Sequence, residues 1–155
     1  MSGRAADDAP HVDPELRELI KAGSIAYWET LGIRLVDADV GRVRLRLPMS
    51  DALATFGRRV MHGGAIASII DAAAASAVRT LRKPGEPQWR GLGTTDLNVS
   101  YLEAATGDIE AEGRVLREGR AVAFVQVDVE NADGRVIAVG RATLAIRRAD
   151  EGAQE

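Results

Sequence analysis

Residues 61–78, MHGGAIASIIDAAAASAV, constrain this chain more than any other stretch. From Gly63 onward the run is small or apolar except for one ionisable side chain, Asp71, nine residues after His62. Rich in alanine and free of proline, it predicts a helix over about 63–82. A helix apolar on every side must be surrounded, not laid on a surface. A lone carboxylate in the middle of such a helix needs a partner or a purpose, because burying it unpaired is costly.

The flanking sequence supplies the surround. Asp13-Pro14-Glu15 is a helix start, with Asp13 as cap and Pro14 in the first turn, and 14–30 reads as one amphipathic helix ended by Gly32. Arg42 to Leu47 then alternates strictly, with Val43, Leu45 and Leu47 on one face, and pairs with the 33–38 segment as a hairpin. Lys83-Pro84-Gly85-Glu86-Pro87 ends the long helix. Four strands follow, at 92–102, 107–117, 120–131 and 135–147, with turn signals at Glu118-Gly119 and Asp133-Gly134. The apolar phase of the last strand shifts near Gly140, which predicts a bulge there. The expected class is α+β: six antiparallel strands curled round one long helix, with an N-terminal helix beside it. Residues 13–148 form the single expected domain, with disordered tails expected at 1–12 and 149–155. Open sheet edges predict pairing into a dimer.

Composition narrows the function. The 155 residues carry 20 Lys and Arg against 23 Asp and Glu, a net charge of −3 that argues against a nucleic-acid surface. With no cysteine and only His11 and His62, the chain has no thiol nucleophile and no histidine-rich metal site, so no metal or cofactor is expected. No run reaches the ~18 apolar residues of a membrane span, and the acidic N-terminus reads as no signal peptide. A cytoplasmic protein is expected.

The chemistry concentrates around Asp71. Gly63 and Gly64 open a helix, where backbone N–H groups favour negative charge and no Cβ keeps a ligand away. Asp71 is a candidate general base or nucleophile; as a structural group it would bond Ser68 or a neighbouring strand. Asp71 lies seven residues beyond Gly64, roughly 10 Å along the helix axis. Two antiparallel copies, each lending its glycines to the other's aspartate, would close that gap.

HGGAIASIIDAAAASA, GLGTTDLNVSYLEAA and VGRATLAI together resemble the hotdog-fold acyl-CoA thioesterases, in the phenylacetate-pathway branch of the 4-hydroxybenzoyl-CoA thioesterase superfamily. The resemblance covers about 31–147. It implies a hotdog domain, assembly into homodimers or homotetramers, and hydrolysis of acyl-CoA without a cofactor. It also implies that Asp71 activates water or attacks the thioester, that the Gly64 region donates an N–H to the carbonyl oxygen, and that Thr94 helps hold the lytic water. Two positions depart from the family pattern: Ala104 stands where proline is usual, and Phe56 stands where an asparagine often polarises the carbonyl. Phe56 is then a candidate acyl contact. His62 and Gly63 are candidate substrate contacts, with His62 structural rather than a base. Arg58, Arg59, Arg117 and Arg120 are candidate phosphate ligands, although each also suits a solvated surface. The alternatives are a non-catalytic acyl-CoA-binding protein and a hotdog dehydratase or hydratase.

Overall fold

The computed structural model describes residues 9–149 apart from 10, 23, 56 and 58. Helices α1 (Pro14–Ala22) and α2 (Ala26–Leu31) precede a hairpin of β1 (Arg34–Asp39) and β2 (Arg42–Leu47). A short 3-10 turn at Asp51–Leu53 leads to α3 (Gly63–Arg79), followed by β3 (Gly91–Tyr101), β4 (Ile109–Glu118), β5 (Val122–Asn131) and β6 (Val136–Arg147). The six strands form one antiparallel sheet in the order β1-β2-β4-β5-β6-β3. This is the hotdog architecture, with α3 as its filling.

Asp13 caps α1, its Oδ1 accepting from the N–H of Glu15 at 2.8 Å. The single helix expected over 14–30 is two helices. The break comes because Ile25 is extended (φ −118, ψ 151), which lets α2 restart and sink Trp28 into the core. Gly32 ends α2 in the left-handed region (φ 80), where glycine bears no Cβ penalty. Of the 1–12 tail, residues 1–8 and 10 lie outside the described residues. Ala9 and Val12 are buried, and His11 bonds Asp37 at 3.2 Å, so chain packed on the domain begins before Asp13.

Helix α3 buries Ile66, Ile69, Ile70 and Val78 against the sheet, each large apolar side chain contributing roughly 1.5–3 kcal/mol. The alanines do what their size allows. At Gly113 of β4 an added Cβ would lie 2.6 Å from the Ala73 carbonyl oxygen, so helix and strand backbones touch. At Gly140 of β6 it would lie 2.4 Å from Ile70 Cγ2. The bulge expected at Gly140 is therefore elsewhere. Gly140 pairs in register with Val127 and Val99, and the shift lies around Ile137, between the Ala138–Val129 and Val136–Glu130 pairs. Ile137 and Ala138 are consecutive buried residues for that reason. Gly140 is a contact position for the helix.

The outer face of the sheet is an ion-pair lattice. Arg42, Arg44 and Arg46 of β2 meet Asp37, Glu110, Glu112, Glu130 and Asp108 at 2.6–3.4 Å. At one end of the sheet Arg148 bonds Glu86 at 2.7 Å, bonds Glu118, and lies 5.2 Å over the Trp89 ring, which fastens the loop leading into β3. The Glu86 carboxyl is held below the usual carboxylate range, first by the Lys83 N–H and then by Trp89 Nε1.

Candidate active site

Burial of α3 is not complete. Gly64 is exposed and Ala67, Ser68, Asp71 and Ala75 are partly so, forming one open stripe along the helix. This departs from a helix enclosed on every side, and the stripe contains the carboxylate. Asp71 is partnered by the neighbouring strand rather than by Ser68: Thr94 Oγ1 donates to Asp71 Oδ1 at 2.6 Å. Thr94 stands on the exposed edge strand β3, beside a register shift between Thr94 and Asp96. That bond takes one carboxylate oxygen; no described residue bonds the other.

The first turn of α3 carries a second cluster. His62 is its N-cap, with Nδ1 accepting the Gly64 N–H at 2.9 Å. The N–H expected to meet a carbonyl oxygen is thus already engaged by His62. The N–H of Gly63 has no acceptor among the described residues. Tyr101 Oη donates to the Gly63 carbonyl at 2.9 Å. Ser68 Oγ donates to the Gly64 carbonyl at 2.7 Å and is in turn bonded to Tyr27 Oη at 2.9 Å. Tyr27 and Tyr101 were not singled out from the sequence, although Tyr101 lay within a quoted motif; Ser68 was named only as a possible partner of Asp71.

Beside Gly63 lies an apolar groove of about 410 Å³, lined by Val60, Met61, Ile66, Leu102, Ala104 and Ala105 among others. Ala104, where the family pattern has proline, is part of its lining. The described candidate arginines lie at separate places on the chain. Arg59 is exposed in the loop before α3, on the Tyr101 side. Arg117 and Arg120 are exposed around the β4–β5 turn. There Arg120 lines a groove of about 580 Å³ with Arg148, at the sheet end from which β3 starts. Phe56 and Arg58 lie outside the described residues. No group of three or more potential metal ligands occurs among the described residues. No helix among them is long and apolar enough to cross a membrane.

A wrapped helix carrying a glycine-opened first turn and a hydroxyl-bound aspartate defines a class. The thioesterase superfamily model matches residues 59–138, and the chain belongs to that superfamily. It is 36% identical over 97% of its length to a putative esterase of Halobacterium salinarum, all of which is covered. It is 34% identical to human acyl-coenzyme A thioesterase 13, over 83% of this chain and 91% of that one. The PaaI protein of the Escherichia coli phenylacetic acid degradation operon shares the fold, with a TM-score of 0.72 at 17% identity, covering 88% of this chain and 92% of that one.

Proposed function

We propose that this chain hydrolyses acyl-CoA thioesters at a site shared between two copies, with Asp71 as the reacting carboxylate. The observation that carries the reading is the Thr94–Asp71 bond on the one open stripe of an otherwise buried helix. Membership of the superfamily and the similarity to an acyl-coenzyme A thioesterase support the reaction and the CoA class of substrate.

In this reading the Gly63 N–H, the donor left free in the first turn, receives the thioester oxygen as charge develops on it. Asp71 takes a proton from water as the water oxygen bonds the carbonyl carbon, or bonds that carbon itself. The C–S bond then breaks, and CoA leaves as thiolate and is protonated; the water route releases the acid directly, whereas attack by Asp71 leaves an acyl–Asp71 anhydride that water hydrolyses to the free acid and the carboxylate. Thr94 fixes the carboxylate through one oxygen and leaves the other for water or substrate.

Eight residues of helix, roughly 12 Å, separate Gly63 from Asp71 in one protomer. The edge strand supports a solution. β3 is eleven residues long and unpaired on one side, whereas the other edge, β1, has six residues. A long open edge is a template for pairing. Thr94 stands over Asp71, and Tyr101 over Gly63. Antiparallel pairing of two β3 strands about Leu97–Asn98 sets Thr94 of one copy beside Tyr101 of the other. Each site then combines Asp71 of one chain with Gly63 of its partner, and the same two-fold brings Arg59 of one copy toward Arg117 and Arg120 of the other as phosphate ligands for CoA. A cytoplasmic homodimer, or a homotetramer built from it, with residues 13–148 as the working domain, fits this reading.

The test is free-thiol release from short, long and aromatic acyl-CoAs by the purified protein, with mass measured by light scattering. Saturating turnover by a dimer or larger species is expected. Tight binding without turnover would favour the acyl-CoA-binding alternative, and an active monomer would end the shared-site reading.

A further inference from the structure

Glycine-opened turns have no side chains of their own to pack, so their orientation must be imposed from outside. In this chain each peptide unit of the turn is tied. The peptide joining His62 to Gly63 gives its carbonyl to the N–H groups of Ala65 (2.9 Å) and Ile66 (3.3 Å). The peptide joining Gly63 to Gly64 is held at both ends, its carbonyl by Tyr101 Oη at 2.9 Å and its N–H by His62 Nδ1 at 2.9 Å. The next peptide gives its carbonyl to Ser68 Oγ at 2.7 Å. Ser68 has one hydroxyl proton and spends it there, so in the 2.9 Å bond between Tyr27 and Ser68 the tyrosine is the donor. The result is a directed chain from Tyr27 O–H to Ser68 O–H to the Gly64 carbonyl.

Peptide planarity makes these ties orient the donors as well as the carbonyls. The N–H of Gly63 is the member of the set with no acceptor among the described residues. Both tyrosines are more than half exposed, at 54% for Tyr27 and 52% for Tyr101, so core burial does not account for them. They come from different elements, α2 and β3, and converge on two consecutive carbonyls.

We infer that Tyr27 and Tyr101 are positioning residues that hold the Gly63–Gly64 turn so that the Gly63 N–H alone faces the reacting oxygen. The inference rests on the thioesterase reading above and adds to it that α2, an element outside the motif region, sets the geometry of the turn through Ser68.

Steady-state kinetics of Tyr27→Phe, Tyr101→Phe and Ser68→Ala test it, because each removes a hydroxyl and keeps or nearly keeps the shape. Each is expected to lower kcat by roughly 3- to 10-fold, the loss of one neutral hydrogen bond, with KM nearly unchanged. Tyr27→Phe combined with Ser68→Ala is expected to cost no more than Ser68→Ala alone, since both cut one relay. A second cycle uses Gly63→Pro, which deletes the N–H itself. In that background Tyr101→Phe is expected to cost little more, whereas in a Gly63→Ala background it keeps its full effect. Unchanged kcat in both phenylalanine variants overturns the inference. So does a loss confined to KM, or an undiminished Tyr101→Phe effect in the proline background. Should Tyr101→Phe fail to fold, the Tyr27–Ser68 cycle decides alone. A folded wild-type protein with no thioester turnover overturns the thioesterase reading, and this inference with it.

Discussion

Thr94 and Asp71 share a 2.6 Å hydrogen bond that ties the edge strand to the middle of the central helix. The hydroxyl gives its only proton to the carboxylate, so Thr94 orients Asp71 directly. Thr94→Ala is expected to fold and to lose turnover more than affinity, because a misoriented carboxylate is felt mainly in the transition state. Thr94→Ser should retain most of the activity. Equal impairment of serine and alanine in steady-state assays would assign the role to the methyl group instead.

Asp71→Asn keeps the shape and one acceptor for Thr94 but cannot take a proton. Hydrolysis is expected to fall on the order of 10²-fold or more, the usual scale of general-base catalysis, at an unchanged melting temperature. Survival of activity in thiol-release assays would make Asp71 a structural acceptor.

The oxyanion assignment has an unusually clean variant. Gly63 is the first residue of α3, a position that accepts proline, and His62 before it has φ −62 and ψ 137, the conformation that proline demands of its predecessor. Gly63→Pro removes the free N–H and leaves the backbone path intact. Both Gly63→Pro and Gly63→Ala bring a Cβ within 3.2 Å of the Tyr101 ring, so alanine is the steric control. The proline variant is expected to lose roughly 10²-fold more kcat than the alanine variant. Mixed and exchanged with Asp71→Asn, it should recover activity, because a heterodimer then holds one intact site and one doubly broken one. Demonstrated heterodimers without recovery would separate the two residues into unshared sites.

Seating of the helix predicts stability. Gly113→Ala drives a methyl group against the Ala73 carbonyl at 2.6 Å, backbone against backbone, and is expected to cost about 1–3 kcal/mol in denaturant titrations. Gly140→Ala meets a side chain, Ile70, and should be partly rescued by Ile70→Ala.

Acid should loosen the outer lattice. The Asp108 carboxyl is held below the usual carboxylate range, first by the Met49 N–H at 2.8 Å and then by Arg46 at 2.7 Å. A folded value below the unfolded one means that the native state binds fewer protons. Its stabilisation is therefore present above the unfolded carboxylate pKa, about 4, and is lost as pH falls through the lowered folded value. Asp108→Asn should make the chain less stable at neutral pH and flatten its loss of stability below roughly pH 5. Parallel pH–stability curves for the two proteins would contradict this.

Much of this molecule is legible before any coordinates, for definite reasons. Alternation in Arg42–Leu47 and the valines at 125, 127 and 129 announce strands because one face of the sheet is buried and the other is charged. The alanine run announces a wrapped helix because only small side chains allow the contact at Gly113. The phase change in β6 misleads because glycine has no hydropathy to read. Gly140 continues the buried face, and the true shift hides at Ile137, where two buried residues follow one another. The break between α1 and α2 depends on Trp28 reaching the core, which is a tertiary matter. In the site, the carboxylate and its threonine are readable as motif residues. The tyrosines are not, because Tyr27 reaches Ser68 across 41 residues of sequence, and no local pattern encodes such a meeting.

The two points at which α3 rests on strand glycines have a consequence for anyone wishing to redirect this protein to other substrates. Like a key seated in two notches, the helix can neither slide nor turn, because the next atom at Gly113 or Gly140 has nowhere to go. New specificity will therefore not come from remodelling the seam between helix and sheet. The freedom to vary lies in the walls of the groove beside Gly63, at Val60 and along residues 102–104. Libraries confined to those walls should yield folded variants at a far higher rate than libraries that include the notches.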